Sequence, residues 1–552
     1  MKSVNNNDLQ LSLIQGDALA ENSSTDIMEE GSSSSSSSSN VNEEKTRSSS
    51  YIDSLAPEYR NVVRKGKSVL HTISLSVVIV AFVVALVIPS KPAKGGLCLF
   101  IMAVIWVTEL LPLPTSSLLP IFLFSFTNIM HAKAISKVFW NANSFLFSTG
   151  FLMGGAVQRW DLHKRLAVNI VLTTGTNVVV LLFMIMFAAW VMSMWINNSA
   201  AILCLLPVVK RFLSSIPVRH AAFKKGTLLA MAYASSIGGM ATIVGSLTNG
   251  VAMGVFENNF GTEFGFGEFL VIALPFSTIM LIVAWLFTCI RHIWFSSSGT
   301  IEVNLDEFRK MRRELGPMKR EEKIVCVYLF LLILVWCFAR PIKAALGLLF
   351  IETASIGMIF TFPLFFIPAT TRKLEKIEGE VVIAENILDW KYVKTVFRWE
   401  ILLIFGSGYM VAAGTTKSGF VAWAAQQIGV MPELQLVVIV AFLICFMTEV
   451  ISNMACINIF APLVMQIAAT MGYDPMKFLF ICSISASFAF MLPMACGPNM
   501  IVYGTGKDFS LRFMIKNGLY LNLIAVFVGI VYMNYIMPSL LPTGYTYAPT
   551  TV

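Results

Sequence analysis

From about residue 69 onward the chain alternates long apolar runs with short polar ones. Runs near 69–88, 95–111, 114–130, 144–160, 227–256, 268–290, 324–339, 347–369, 399–416, 477–503 and 514–537 approach or exceed the length a helix needs to cross a bilayer. They predict eleven crossings. Two more runs, near 178–209 and 436–469, are too long for one crossing and hold polar residues at their centres. "MSMWINNSAAILCLLP" (192–207) carries Asn197, Asn198 and Ser199, and "MTEVISNMACINIFAPL" (447–463) carries Ser452 and Asn453. Each reads as a re-entrant hairpin that enters and leaves on one face. Residues 1 to about 50 have the opposite character, polar with a serine run from Ser32 to Ser39. Such a segment cannot bury enough apolar area to offset chain entropy and is expected to be disordered.

Composition turns these runs into a fold class. Hydrophobic residues make up 56% of the chain and charged ones 13%, with a mean hydropathy of +0.73. That excess of apolar surface, in helix-length runs, predicts an all-α polytopic membrane protein. The net charge of +8 fits the same picture, because the cations gather in loops. Arg60, Arg64, Lys65 and Lys67 precede the first span. With the two hairpins counted as re-entrant, the loops holding Lys164/Arg165, Lys210/Arg211/Lys224/Lys225, Arg312/Arg313/Lys319/Arg320 and Arg372/Lys373/Lys376 fall on the same side as the N-terminus. The loops near Lys91, Phe260, Ala344 and Gly429 fall opposite and carry few cations. The positive-inside rule then makes the N-terminus cytosolic. Thirteen plain crossings would put the later basic loops outside. The charge therefore speaks of membrane orientation, and no nucleic-acid partner is expected. The nine cysteines form no C-x-x-C pair and read as small core residues, while the five histidines sit near span ends and read as interfacial. H-E-x-x-H and G-x-S-x-G motifs are lacking, so an intramembrane enzyme is not expected.

The two halves overlay. "FSTGFLMGGAVQ" from Phe147 matches "FGSGYMVAAGTT" from Phe405, then "INNSA" (196–200) matches "ISNMA" (451–455). "SIGGMATIVGSLTN" (236–249) finally matches "SFAFMLPMACGPN" (487–499), with the three landmarks in the same order at similar intervals. The first hairpin opens on the cytosolic face and the second on the external face, so the repeats are inverted. Inverted repeats with broken helices are the architecture of secondary transporters, whose site lies where the repeats meet. The expected organisation is a disordered cytosolic N-terminus (1–59), a first repeat (60–300), a cytosolic linker (301–323), a second repeat (324–540) and a short external tail (541–552).

"MSMWINNSA", "YASSIGGMATIVGSLTN", "FMTEVISNMA" and "FMLPMACGPNMIVYG" resemble the signature segments of the divalent anion/sodium symporter family, over nearly the whole chain from about 60 to 540. The resemblance implies a secondary carrier of di- or tricarboxylates or of sulfate. It implies a homodimer of scaffold domains with sliding, elevator-like transport domains, and two sodium ions as co-substrates, one per repeat. Carried over, Ser193, Asn197, Asn198 and Gly245 would form the first sodium site. Thr448, Ile451 (through its carbonyl), Asn453 and Ala495 would form the second. Asn198, Ser199, Ser246, Ser452, Asn453 and the turn at Gly497 and Pro498 would hold the anion. Amide and hydroxyl donors suit carboxylate oxygens without a fixed counter-charge.

The chain departs from the family's Ser-Asn-Thr triplets at Asn197 and Met454, and from its proline-bearing helix breaks at Leu247-Thr248 and in "CGPN" (496–499), where one proline is lost. A sulfate or phosphate carrier, and a proton-coupled or uncoupled carboxylate carrier, therefore stand as alternatives. Asn249 and Asn499 are read as caps of the resumed half-helices, Glu109 as structural, and Glu449 as a neighbour of the second cation site. The host membrane is either the plasma membrane or a vacuolar or other endomembrane.

Overall fold

Lipid offers a backbone no partner but itself, and the described chain is accordingly almost all helix. The computed structural model describes residues 57–540 except 141, 174–176, 215, 218–219, 261–263, 295–305, 348–350, 378–379, 430 and 506–509. The serine-rich N-terminal segment up to residue 56 and the tail after 540 lie outside the described residues.

In the first repeat, α1 (Pro57–Val87) packs on α2 (Lys91–Val107), which Ser90 caps by accepting from Ala93 N–H. α3 (Leu119–Phe126) and α4 (Ala142–Arg159) follow. An elbow at Asp161, in the left-handed region at φ 57°, turns the chain into the short arm helix α5 (Leu162–Leu172). The first hairpin is α6 (Val178–Ser193) and α7 (Asn198–Ser214). A broken span, α8 (Ala221–Gly239) and α9 (Leu247–Phe260), and the long α10 (Phe266–Cys289) complete the repeat. A surface helix, α11 (Asp306–Leu315), lies within the expected linker.

The second repeat follows the same plan. α12 (Arg320–Cys337) bends by 74° into a short helix, and α13 (Thr353–Thr361) follows. β1 (Leu374–Ile377) and β2 (Glu380–Ile383) then pair antiparallel with Leu374 opposite Ile383. α14 (Trp390–Val396) meets α15 (Trp399–Lys417) at 56°, and an elbow at left-handed Gly419 leads to the arm α16 (Phe420–Ile428). The second hairpin is α17 (Glu433–Val450) and α18 (Asn453–Thr470). The second broken span is α19 (Pro475–Ala486) and α20 (Gly497–Tyr503), before α21 (Leu511–Val531). The repeat read from the sequence thus extends to the elbows and arms. Counting α8–α9 and α19–α20 as one span each, α4 is the fourth crossing and α15 the ninth, so they run in opposite directions. Five described helices are long and apolar enough to cross alone, or seven if each bent pair is one span. Two of the five are the second hairpin's helices, α17 and α18. α2, α3, α9, α19 and α20 are too short, while α4 and α8, with 18 and 19 residues, are long enough but too mixed in polarity.

The small β-hairpin lies beyond the all-helical expectation, and a buried arginine holds this region to the first repeat. Arg159, at the end of α4, is 2% exposed. Its Nε donates to both Glu375 oxygens at 3.1 Å, and its Nη2 lies 2.7 Å from Glu375 Oε2 and 2.6 Å from Asp389 Oδ2. Nη1 donates to the Asn386 and Ile387 carbonyls, and the guanidinium stacks 4.6 Å from the Tyr392 ring centre. Lys373 closes the same corner by donating to Arg159 O and Asp161 Oδ2. Burial would raise the Asp161 pKa, but Lys164 and Lys373 outweigh it and hold this carboxyl below its ordinary value. Arg165 ties the arm to the α11–α12 turn through Glu322, Leu315 O and Gly316 O.

The interfacial reading of the histidines needs correction, because His163, His220 and His292 are buried. Their rings fill gaps between helices: a methyl on Gly226 would meet His292, and His163 Nδ1 pairs with Val157 O. Glu109 sits exposed in the turn after α2 with φ 49°, away from the hairpins in sequence and free of burial.

Removing the Arg159 fork strands two carboxylates beneath the β-hairpin. Arg159→Met is expected to lower stability by about 3 kcal/mol, and Arg159→Lys to recover part of it as a single point charge. Thermal melting of the purified protein in detergent measures this; an unchanged melting temperature for Arg159→Met would contradict the clamp.

Candidate functional site

Each hairpin turns inside the protein body, where the tip must find partners for its own polar groups. α6 stops at Ser193 and α7 resumes at Asn198. Asn197 Oδ1 accepts from Ser199 N–H at 2.9 Å, an Asx turn that starts the new helix. In the second hairpin α17 stops at Val450, and Ser452 caps α18 by accepting from Ala455 N–H. Across each tip a hydroxyl donates to the key asparagine: Ser193 Oγ to Asn198 Oδ1 at 2.5 Å, and Thr448 Oγ1 to Asn453 Oδ1 at 2.8 Å. The two repeats build the same contact from residues at matching positions.

The broken spans leave carbonyls without helical partners, and here the structure corrects a sequence-based role. Asn249 and Asn499 do not cap the half-helices they sit in. Asn249 Nδ2 donates back to Gly239 O, Met240 O and Thr242 O, and Asn499 Nδ2 donates back to Ala489 O and Leu492 O. Asn249 fastens the end of α8 and the linker after it, and Asn499 fastens the linker after α19. Glu449, 3% exposed, completes the second break by accepting from Met491 N–H, Leu492 N–H and Asn522 Nδ2 at 2.7–2.9 Å. It therefore braces the linker rather than projecting into the cage.

Two clusters of neutral oxygens result. A methyl on Gly239 would lie 2.5 Å from Asn198 Oδ1 and 3.0 Å from Gly245 O. A methyl on Gly245 would lie 2.8 Å from Gly239 O, 2.9 Å from Thr242 Oγ1 and 3.0 Å from Ser193 O. Backbone and amide oxygens thus converge around space that only glycine leaves open, a donor set suited to a hard monovalent cation. In the second repeat Thr448 Oγ1 lies 2.8 Å from both Asn453 Oδ1 and Ala486 O. One hydroxyl proton cannot serve two acceptors at once, so this cluster holds more lone pairs than protons. Ile451 and Ala495 are buried at the tip and at the break. Of the residues expected at the cation sites, Ser193, Asn198 and Gly245 come together directly, as do Thr448 and Asn453. Asn197 is engaged in its own turn.

Between the clusters lies a lining of small polar groups. A methyl on Gly497 would meet Ser199 Oγ at 2.0 Å, so the first hairpin tip rests on the second break. Ser236 Oγ pairs with Cys496 Sγ at 3.8 Å. From Ser246 a chain runs to Thr248 at 2.8 Å and on to Ser487 at 2.9 Å, joining the first break to the second. Ser483 Oγ donates to Asn249 Oδ1 at 2.6 Å. Asn198, Ser199, Ser246, Ser452, Asn453 and Gly497 are only half-buried, while Pro498 is buried. All of these are neutral, so an anion held here would find its compensating charge in accompanying cations. The sequence alone does not single out Ser235, Thr242 or Ser487, and it marks Thr248 only as a departure at the first break. Ser235 donates to Asn198 O at 2.9 Å, and the polar spacing of "YASSIGGMATIVGSLTN" was the available signal.

Residues 64–541 match the family described as the sodium:sulfate symporter transmembrane region. A sodium-dependent dicarboxylate transporter of Staphylococcus saprophyticus is 30% identical over 452 residues, covering 79% of this chain and 84% of that protein. The Staphylococcus aureus protein of the same description is 30% identical over 475 residues, covering 82% and 87%. Among solved structures, the Alcanivorax borkumensis YdaH transporter aligns over 72% of this chain and 86% of its own at 13% identity, with a TM-score of 0.48. The family match spans nearly every described helix, both hairpins and both helix breaks; the chain belongs to the divalent anion/sodium symporter family.

Proposed function

We propose that this protein is a sodium-coupled carrier of di- or tricarboxylates, of the succinate, malate and citrate class. The observation that carries the reading is the pair of neutral oxygen clusters, one per repeat, flanking a lining without ionic side chains. Two staphylococcal relatives described as sodium-dependent dicarboxylate transporters support the cargo and the coupling ion. Ser193, Asn198, Gly245 and the Gly239 carbonyl hold one sodium ion, and Thr448, Asn453 and the Ala486 carbonyl hold the other. The anion lies between Asn198–Ser199 and Ser452–Asn453, against Ser246 and Gly497. Cation binding comes first, because a dianion entering a neutral, poorly solvated cage alone has nothing to offset its desolvation.

Along the chain, the arms and elbows stand between α1 to α4 and the first hairpin, and between α12 to α15 and the second. This division supports an elevator cycle in which the hairpin body slides against a dimeric scaffold. The basic loops support a cytosolic N-terminus, in the plasma membrane or an endomembrane. Met454 favours a second reading, because it replaces a hydroxyl beside Asn453 and a compact tetrahedral anion such as sulfate needs fewer donors.

Uptake of radiolabelled succinate into proteoliposomes tests the proposal. A sodium gradient is expected to drive it, and Asn453→Ala is expected to abolish it. Sodium-independent succinate uptake overturns the coupling, and sulfate uptake in place of succinate overturns the cargo. Gly239→Ala places a methyl in the first oxygen cluster. It is expected to raise the half-saturating sodium concentration at least about tenfold, equivalent to roughly 1.4 kcal/mol, with a near-native melting temperature. Should three or more sodium ions accompany a dianion, transport becomes electrogenic, gaining about 2.3 kcal/mol per net charge per 100 mV; current recording on the same liposomes reads this.

A further inference from the structure

The helix α11, "DEFRKMRREL", is two-faced. Phe308 is 1% exposed and its ring lies 5.8 Å from Phe212 of α7, while Met311 packs partly against the core. The other face carries Arg309, Lys310, Arg312 and Arg313, all exposed. Glu314 is exposed on the same helix and forms no ion pair among the described residues, which leaves this face with a net positive charge. Glu321 and Glu322 are buried, Glu321 accepting from Thr370 and Thr371 and Glu322 pairing with Arg165. Arg309 pairs with Asp306, but Arg312 and Arg313 have no carboxylate partner among the described residues.

These arginines surround a space. A cavity of about 530 Å³ is lined by Arg309, Arg312, Arg313, Gly316 and the apolar Leu172 at the end of the arm α5. Its depth in the membrane follows from what adjoins it. The apolar span α12 begins at Arg320, shortly after α11 ends, and the exposed Lys319, Arg320 and Lys323 ring its base. Arg165 fixes the turn beside the cavity by donating to Leu315 O and Gly316 O. Guanidinium forks on the polar side, an apolar residue opposite and a span entering the bilayer alongside describe the place of a phospholipid headgroup.

We propose that the α5–α11 cavity binds the phosphate-bearing headgroup of an anionic phospholipid from the leaflet on the basic side of the membrane. Arg312 and Arg313 grip phosphate oxygens through paired N–H donors, Arg309 adds charge, and Leu172 meets the glycerol end. The site is independent of the cargo assigned above. It is also well placed to influence the cycle, because α11 touches both the arm α5 and, through Phe308, the hairpin helix α7. A bound lipid would thicken the contact between a part anchored by Arg165 and a part that carries the binding site.

The test uses the full-length protein, delipidated in detergent and titrated with phosphatidylcholine or phosphatidylinositol bisphosphate under native mass spectrometry. The phosphoinositide is expected to bind well above phosphatidylcholine. Arg312→Gln with Arg313→Gln should weaken it by about thirtyfold, since each arginine near an anionic surface is worth roughly fivefold. Phosphatidylcholine binding should not change. Unaltered phosphoinositide binding by a normally melting double variant overturns the site. If soluble inositol trisphosphate binds as tightly as the lipid, the membrane source is overturned in favour of a free phosphate ligand. Should the double variant not fold, Leu172→Glu decides: it adds a negative charge to the same cavity, and undiminished lipid binding by it also overturns the proposal.

Discussion

A backbone that stops being helical at membrane depth must find partners for its freed N–H and C=O groups, and this protein meets that requirement four times. Two hairpin tips and two broken spans are each closed by a specific polar side chain. Asn249 and Asn499 gather the carbonyls at the breaks, Glu449 gathers the N–H groups of the second break, and the turns at Asn197 and Ser452 start the inner helices. What these side chains leave over is the site proposed for the cations and the anion. The oxygens near Gly239 and Gly245, and the excess lone pairs around Thr448, are carbonyls and amides that the protein body does not fully satisfy. On that proposal structure and binding capacity are one property: a break fully paired within the protein would hold nothing.

The repeats share this logic but differ in chemistry. Where the first break relies on Thr242, which donates to Met194 O and accepts from Gly245 N–H, the second relies on a carboxylate. The two oxygen clusters are thus similar in geometry and unequal in electrostatic surroundings, with a buried acid beside Thr448 and none in contact with Ser193 among the described residues.

Much of this was legible in the sequence, because an amide or hydroxyl in a long apolar run is conspicuous. Asn198 and Asn453 stood out in that way, and so did the hairpins and the repeat. The elements that were not legible depend on partners distant along the chain. Arg159 looked like one more cation at a span end, since Glu375 and Asp389 lie more than two hundred residues away. The β-hairpin hid in "LEKIEGEVVI", whose apolar residues alternate too briefly to rise above loop composition. The asparagines at the breaks were assigned the wrong direction, because sequence position says which helix a residue occupies but not which helix its side chain serves. The histidines misled for a related reason: imidazole at the end of an apolar run is equally suited to a headgroup or to a gap between helices.

The two elbows, finally, are not held in the same way. The turn at Asp161 is locked by Lys373, Arg159 and their carboxylates on one side, and its arm is moored by Arg165. The turn at Gly419 has no ion pair among the described residues: Ser418 Oγ donates to Thr415 O and accepts from Phe420 N–H, Ser418 and Phe420 pack on Gly95 and Gly96 of α2, and the arm, "FVAWAAQQI", carries no charge. One elbow is pinned by ion pairs and the other by apolar packing and a hydroxyl turn, so the inverted symmetry of the chain does not extend to the chemistry that holds its two corners.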